Sequence, residues 1–133
     1  MVIYPYKAYI YKDKTFVDVS YVSIMKNYFI EYHRREDYEV KRNMKEGALM
    51  QNTLITDSKG KQIYAKDYVL YEGKIYLVDF VKNDDIGKYF LFTTKNEPVI
   101  ELKKAKLLDS KLEIVGNFYS KKDKNKEESI KRA

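Results

Sequence analysis

One histidine, the Gly60-Lys61 pair, one aspartate cluster and fourteen tyrosines are the groups in this chain with chemical potential. His33 is the sole imidazole. As a catalytic base it would need an orienting partner and a nucleophile. The chain has no cysteine, no G-x-S-x-G elbow and no serine in nucleophile context. His33, between Tyr32 and Arg34, therefore reads as a surface or half-buried histidine. Gly60-Lys61 is a fragment of phosphate-loop text, but the G-x-x-x-x-G-K-[ST] spacing is missing. Asp57 to Gly60 reads instead as a turn whose aspartate caps its own backbone. Asp84 and Asp85, with Asp79 and Asn83, offer oxygens to a hard cation. A calcium loop wants ligands at alternate positions and a closing acid. Flanked by Lys82 and Lys88, the pair reads as a hairpin tip. No catalytic residue, metal site or cofactor is expected, and no enzyme.

The tyrosines carry the remaining signal. Beside Lys and Arg, an exposed tyrosine can stack on a base. It also suits a protein interface, where a rigid amphipathic ring gains contact area at little entropic cost. The plain alternative is that tyrosine fills sheet faces while its hydroxyl reaches water, and roughly half of the tyrosines are assigned to that role. Tyr9, Tyr11, Tyr28 and Tyr32, on N-terminal strands, form the candidate interface.

Those rings need strands to hold them. Tyr9 to Val22 reads as a hairpin turning at Lys12-Asp13-Lys14. Met25-Lys26-Asn27 turns into a strand where Tyr28, Ile30 and Tyr32 alternate with Phe29, Glu31 and His33, a period of two. Arg34 to Lys45 fits one or two helical turns ending at Gly47, or an extended segment with a loop. Ala48-Leu49-Met50 leads to the polar turn at Asp57 to Lys61. Strands are expected at 67–71, 74–81, 88–93, 99–102 and 111–119, separated by Glu72-Gly73, Asn83 to Gly87 and Lys95 to Pro98. The expected class is mainly β, with at most one short helix. Residues 1–50 form an N-terminal β-hairpin region, and residues 51–120 a small SH3-like barrel, suggested by the hairpin text from Asp67 to Val78. The charged tail, 121–133, is expected to be disordered.

At 133 residues the chain can bury about two-thirds of its unfolded surface without staples. Charges interrupt every apolar run before membrane-spanning length, and Met1 to Lys7 lacks a signal-peptide core. A cytoplasmic protein is expected. The formal charge is +6, but the tail holds six basic residues against three acids. Half the net charge thus lies outside the body, whose mixed charges resemble an ordinary solvated surface.

Two separated blocks carry a family pattern. In T-G-L-x-D-x-x-G-x-x-I-Y-x-G-D-I-V, the matches are Thr53, Asp57, Gly60, Ile63, Tyr64, Asp67 and Val69, with Ile55 and Tyr68 apolar in register. In x-V-I-G-N-I-Y they are Val115, Gly116, Asn117 and Tyr119, with Ile114 and Phe118 apolar. Tyr6-Lys7-Ala8-Tyr9 echoes an opening apolar-x-Ala-aromatic pattern. The chain resembles the YopX-like family, small proteins encoded by phages and prophages of Gram-positive bacteria. The resemblance spans the chain to Tyr119 and implies an accessory protein in the host cytoplasm. Leu54 and Lys66 stand where the family has glycine, and their side chains disfavour the positive φ that glycine permits. Gly60 is expected in a tight turn with positive φ, and Gly116 at a bulge or a close backbone approach inside the last strand. The expected function is non-catalytic binding of a host or phage protein, or of a second copy. The N-terminal half is too short to cover both its faces, so a homo-oligomer is expected. The alternative is nucleic-acid binding by Lys and Tyr residues of the barrel, helped by the basic tail. No membrane partner is expected.

Overall fold

A period-two pattern sorts the N-terminal strands into one apolar face and one tyrosine face. The computed structural model describes residues 4–81 and 88–120. Two compact units divide the chain, Met1–Asn52 and Thr53–Ala133. The first contains β1 (Tyr6–Ile10), β2 (Thr15–Ser23), β3 (Tyr28–His33), β4 (Tyr38–Asn43) and the start of β5 (Gly47–Thr56). These run in the order β4-β3-β2-β1-β5, with antiparallel neighbours. Left-handed residues close the hairpins: Lys14, Asn27 and Asp37, with φ of 55, 62 and 52°. Asn and Asp adopt that conformation at low cost.

Ala8, Ile10, Val19 and Phe29 form the buried cluster of this unit, with Tyr6, Val17, Val22, Met44 and Leu49 packed against it. Gly47 lets β5 approach closely. A Cβ there would meet the Tyr9 carbonyl oxygen at 2.8 Å and the Phe29 ring at 3.3 Å. The stretch from Arg34 to Lys45, which the sequence left between helix and strand, is a turn followed by β4. Helical geometry is confined to one 3-10 turn, Met44–Glu46. A capping box starts it: Asn43 Oδ1 accepts the Lys45 N–H at 3.0 Å, and Glu46 Oε2 accepts the Asn43 N–H at 2.6 Å.

In the second unit, the end of β5 is followed by β6 (Gln62–Tyr64), β7 (Asp67–Tyr71), β8 (Lys74–Phe80), β9 (Tyr89–Phe92), β10 (Pro98–Glu101), α1 (Leu102–Leu108) and β11 (Glu113–Asn117). Five of these strands form one sheet in the order β10-β9-β8-β7-β11. The expected barrel is not closed: among the described residues β10 and β11 are the two edges of this sheet and do not pair. The last strand returns beside the first strand of the meander, and α1 supplies the crossing. Strand text at Val99 to Leu102 gives way to helix at Leu102 for a physical reason. Leu102 and Ala105, three apart, are both fully buried in the cluster of Ile63, Val69, Val78, Leu91 and Leu112. A strand would have sent them to different environments. Asp109 ends the helix. Its carboxylate accepts the N–H groups of Glu72 and Lys111, each at 2.9 Å, and these bonds hold it below the usual aspartate range.

Both positions where glycine was replaced keep the left-handed backbone. Leu54 has φ of 65° and Lys66 has φ of 76°, against the expectation from their side chains. Neighbouring bonds hold them there. Thr53 Oγ1 accepts the Ile55 N–H at 3.2 Å and donates to the Ile63 carbonyl at 2.6 Å, bracketing Leu54. The Lys66 N–H donates to Val78 O at 2.7 Å, and its carbonyl accepts the Phe118 N–H at 2.8 Å. Fixed surroundings can over-determine a strained residue in this way. Gly60 has the expected positive φ, 80°, with nothing within 4 Å of a Cβ built on it. Gly60→Ala therefore tests backbone strain alone and should lower stability by about 1 kcal/mol. Leu54→Gly, at an exposed side chain, should leave stability unchanged or raise it by up to about 0.5 kcal/mol. Urea unfolding of both variants checks the pair.

Candidate functional site

The residues shared by the two sequence blocks meet inside the second unit. Asp57 is buried, 2% exposed. Its Oδ1 accepts the N–H groups of Lys59 and Lys61 at 2.9 Å each, and Oδ2 accepts the Ile114 N–H at 3.1 Å. The first two bonds shape the turn around Gly60, and the third fastens it to β11. Ser58 N–H donates to Leu112 O at 2.7 Å, and Lys59 pairs with Glu113 at 2.6 Å, along the same seam. Burial is the largest influence on the Asp57 carboxyl and would raise its pKa. The N–H groups of Ile114, Lys61 and Lys59, with the Lys61 charge, more than offset it and leave the pKa lowered.

A second carboxylate repeats the device. Asp67 Oδ2 accepts the Tyr64 N–H at 2.8 Å, and Oδ1 accepts from Asn117 Nδ2 at 2.9 Å. Asn117 Oδ1 in turn accepts the Tyr119 N–H at 2.9 Å. Gly116 sits where the β11–β7 register shifts, opposite Tyr68, which is the bulge its sequence position implied. Ile63 and Tyr64 are buried beside these bonds. The acceptors of both aspartates are aimed at backbone and amide donors of their own unit. The motif is a latch.

The first unit holds the other polar cluster. Glu31 is buried on β3, and its carboxylate accepts Arg42 Nε–H at 2.9 Å while also pairing with His33 Nε2. The His33 ring stacks on Tyr38 at 4.3 Å, and Arg42 also reaches Glu46 at 3.5 Å. The hydrogen bond from Arg42 to Glu31 raises the guanidinium pKa further. His33 is thus half-buried and serves the ion pair. No nucleophile is placed against it by these contacts. Among the described residues no group of three or more His, Cys, Asp or Glu side chains is set to hold a metal. Asp79 pairs with Lys66. Asn83, Asp84 and Asp85 lie outside the described residues, as does the tail. After Gly60-Lys61 comes strand β6, so the helix that a phosphate loop leads into does not follow.

The tyrosine face is the remaining candidate. Opposite residues in a ladder share a face. The registers put Lys7, Tyr9, Phe16, Asp18, Tyr21, Tyr28, Ile30, Tyr32, Glu39 and Lys41 on one side of the first unit's sheet. Tyr9 proves buried, beneath Phe16 at 5.0 Å and Tyr11 at 6.2 Å. Tyr28 and Tyr32 are half-buried. Tyr32 donates to Asp37 Oδ1 at 3.0 Å, a bond that raises its pKa. Exposure belongs to Tyr21 at 55%, Tyr11 at 50% and Phe16 at 40%. Sequence reasoning missed Phe16 and Tyr21. Simple alternation puts Tyr21 in phase with Val19, which is buried. The register shift between Val19 and Tyr21 turns it outward instead, and no residue type there announces a bulge. Cations flank the rings: Lys7 Nζ lies 5.1 Å from the centre of Phe16, and Lys41 Nζ 4.4 Å from that of Tyr28.

A family model described as YopX protein matches residues 5–123. The chain belongs to the YopX family. The matched span includes the tyrosine face and both halves of the latch. Among solved structures, the chain is similar to protein EF1440 from Enterococcus faecalis. The TM-score is 0.58 at 12% identity, covering 90% of this chain and 95% of that one. Likeness at that identity speaks for the fold. No curated protein matches. No helix among the described residues is long and apolar enough to cross a membrane.

The YopX latch makes a pH-dependent prediction. The folded Asp57 pKa lies below the unfolded one. Its stabilisation is therefore fully present above about pH 3.9 and is lost as pH falls through the folded value. Asp57→Asn should cost about 2 kcal/mol at neutral pH, the range for hydrogen bonds to a charged group. The gap between variant and wild type should narrow near pH 3, by about the amount the lowered pKa contributes. Urea unfolding at both pH values measures it.

Proposed function

We propose that this YopX-family chain is a non-catalytic accessory protein of phage or prophage origin, working in the host cytoplasm. Its tyrosine face contacts another protein. The observation that carries this reading is the exposure of Phe16 and Tyr21 on one sheet face, with Tyr11 also exposed beside the Tyr9 ring of that face. Large rings held on strands give contact area without losing much side-chain freedom, which is why aromatic residues dominate interface energetics. The rim mixes signs, with Lys7 and Lys41 near Asp18 and Glu39, as protein contacts commonly do. The polar cluster of Glu31, His33 and Arg42 is internally satisfied, which favours a structural role over catalysis. The order β10-β9-β8-β7-β11 supports the SH3-like reading of the second unit as scaffold.

Nucleic-acid binding is the second reading, favoured by the Lys7–Phe16 and Lys41–Tyr28 contacts, where a cation lies beside a stacking surface. Asp18 and Glu39 on the same face oppose it, because they would meet phosphate. The test compares wild type with Tyr11→Lys/Tyr21→Lys, a pair that should leave the melting temperature nearly unchanged. A defined host or phage protein captured by wild type and lost with the variant supports the reading. Identical capture by both would overturn the face as the contact. Salt-sensitive binding of a fluorescent single-stranded oligonucleotide, lost in the same variant, would favour the second reading.

A further inference from the structure

Strand β4 is an edge whose one ladder partner among the described residues is β3. Folded proteins commonly blunt such edges by shortness, proline or bulges. The other edges follow that rule. β6 has three residues, β10 opens with Pro98 and shifts register beside it, and β11 shifts register before Gly116. β4 has none of these devices. Its six residues keep one unbroken register with β3, from Tyr28↔Asn43 to His33↔Tyr38.

We infer that β4 pairs with β4 of a second copy, antiparallel, about a two-fold axis at Val40. The argument is one of charge and parity. Along a strand, alternate residues point their N–H and C=O groups to opposite sides. Residues directly opposite in an antiparallel ladder either both bond across the gap or both do not. A self-paired strand must therefore be centred on a residue. Centring on Val40 places Glu39 opposite Lys41 of the second copy, and by symmetry Lys41 opposite Glu39. Val40 meets Val40, and Tyr38 lies across from Arg42. Centring on Glu39 sets glutamate against glutamate, and centring on Lys41 sets lysine against lysine. Opposite charges across a ladder attract and like charges repel. The complementary register is thus flanked by two repulsive ones.

Glu39 and Lys41 are exposed and lie on the tyrosine face. Arg42 is already held by Glu31, so the selection of register falls to Glu39 and Lys41. Charged residues usually guard an edge against other chains. Here the charges are complementary to the same sequence reversed, which points to a second copy. The pairing names one partner for the protein-binding reading. It rests on that reading only in taking the contact to be with protein, and it uses an edge, where that reading uses a face.

Sedimentation equilibrium of the full chain at micromolar concentration tests it. Wild type should sediment at twice the chain mass. Glu39→Lys and Lys41→Glu each create like-charge pairs at both symmetric positions and should weaken association about tenfold or more. The double variant Glu39→Lys/Lys41→Glu should restore it, and so should an equimolar mixture of the two single variants. Thermal melts verify that every variant folds. A wild type of single-chain mass, or single variants that associate as wild type does, would overturn the pairing. Loss of the dimer in Tyr11→Lys/Tyr21→Lys, with the charge variants still dimeric, would overturn the edge pairing while leaving the tyrosine face as the protein contact.

Discussion

Three main-chain N–H groups converge on the carboxylate of Asp57, and the second unit is organised around that convergence. A buried carboxylate is costly unless its oxygens are satisfied. Here satisfying them requires the Gly60 turn and β11 to be in place together. The Asp67–Asn117 bond imposes the same condition one step further along the sheet. Between them the two aspartates fix where β11 lies against β7. They also account for Lys66, whose backbone is tied to Val78 and Phe118 and so tolerates a left-handed conformation.

The first unit uses a different anchor. Glu31 stands on the apolar side of β3, next to Phe29 in the alternation, and takes Arg42 and His33 as partners. Such a pair adds little net stability over an apolar packing of the same shape, but losing one partner strands a buried charge. Its positional effect is clear. Arg42 lies opposite Phe29 in the β3–β4 ladder and also contacts Glu46, so β4 and the capped 3-10 turn are held to β3. The face that carries the rings is supported from behind by this cluster.

Much of this was legible in the residues. The hairpin at 9–22, the strand at 67–71, the strand expected at 74–81 and found over Lys74–Phe80, the Gly60 turn and the irregularity at Gly116 follow from turn chemistry and alternation alone. The helix at 102–108 did not, because Leu102 and Ala105 commit to the core only through tertiary packing. Sheet closure was over-read. Five short strands with good turns are equally good text for an open sheet, and ladder pairing decides between them. Tyr9 was misplaced for a simpler reason. It occupies a period-two position on the ring face, but Phe16 and Tyr11 cover it. The left-handed backbones at Leu54 and Lys66 show that a turn can outlast the glycine that suits it, when hydrogen bonds on both sides dictate the path.

The latch also has a direction in time. The bond from Ile114 to Asp57 spans 57 positions of the chain, and that from Asn117 to Asp67 spans 50. Hairpins between sequence neighbours can close as soon as they clear the ribosome, which is how β1 to β4 are connected. The meander from β7 to β10 shares that freedom, but the latch does not. Its two buried aspartates wait for β11, nearly the last of its residues to be synthesised, before their oxygens are answered. Contacts of such long sequence separation close late, because the loop entropy must be met first. The order of synthesis therefore completes the strands of the ring-bearing sheet before the latch of the second unit can close.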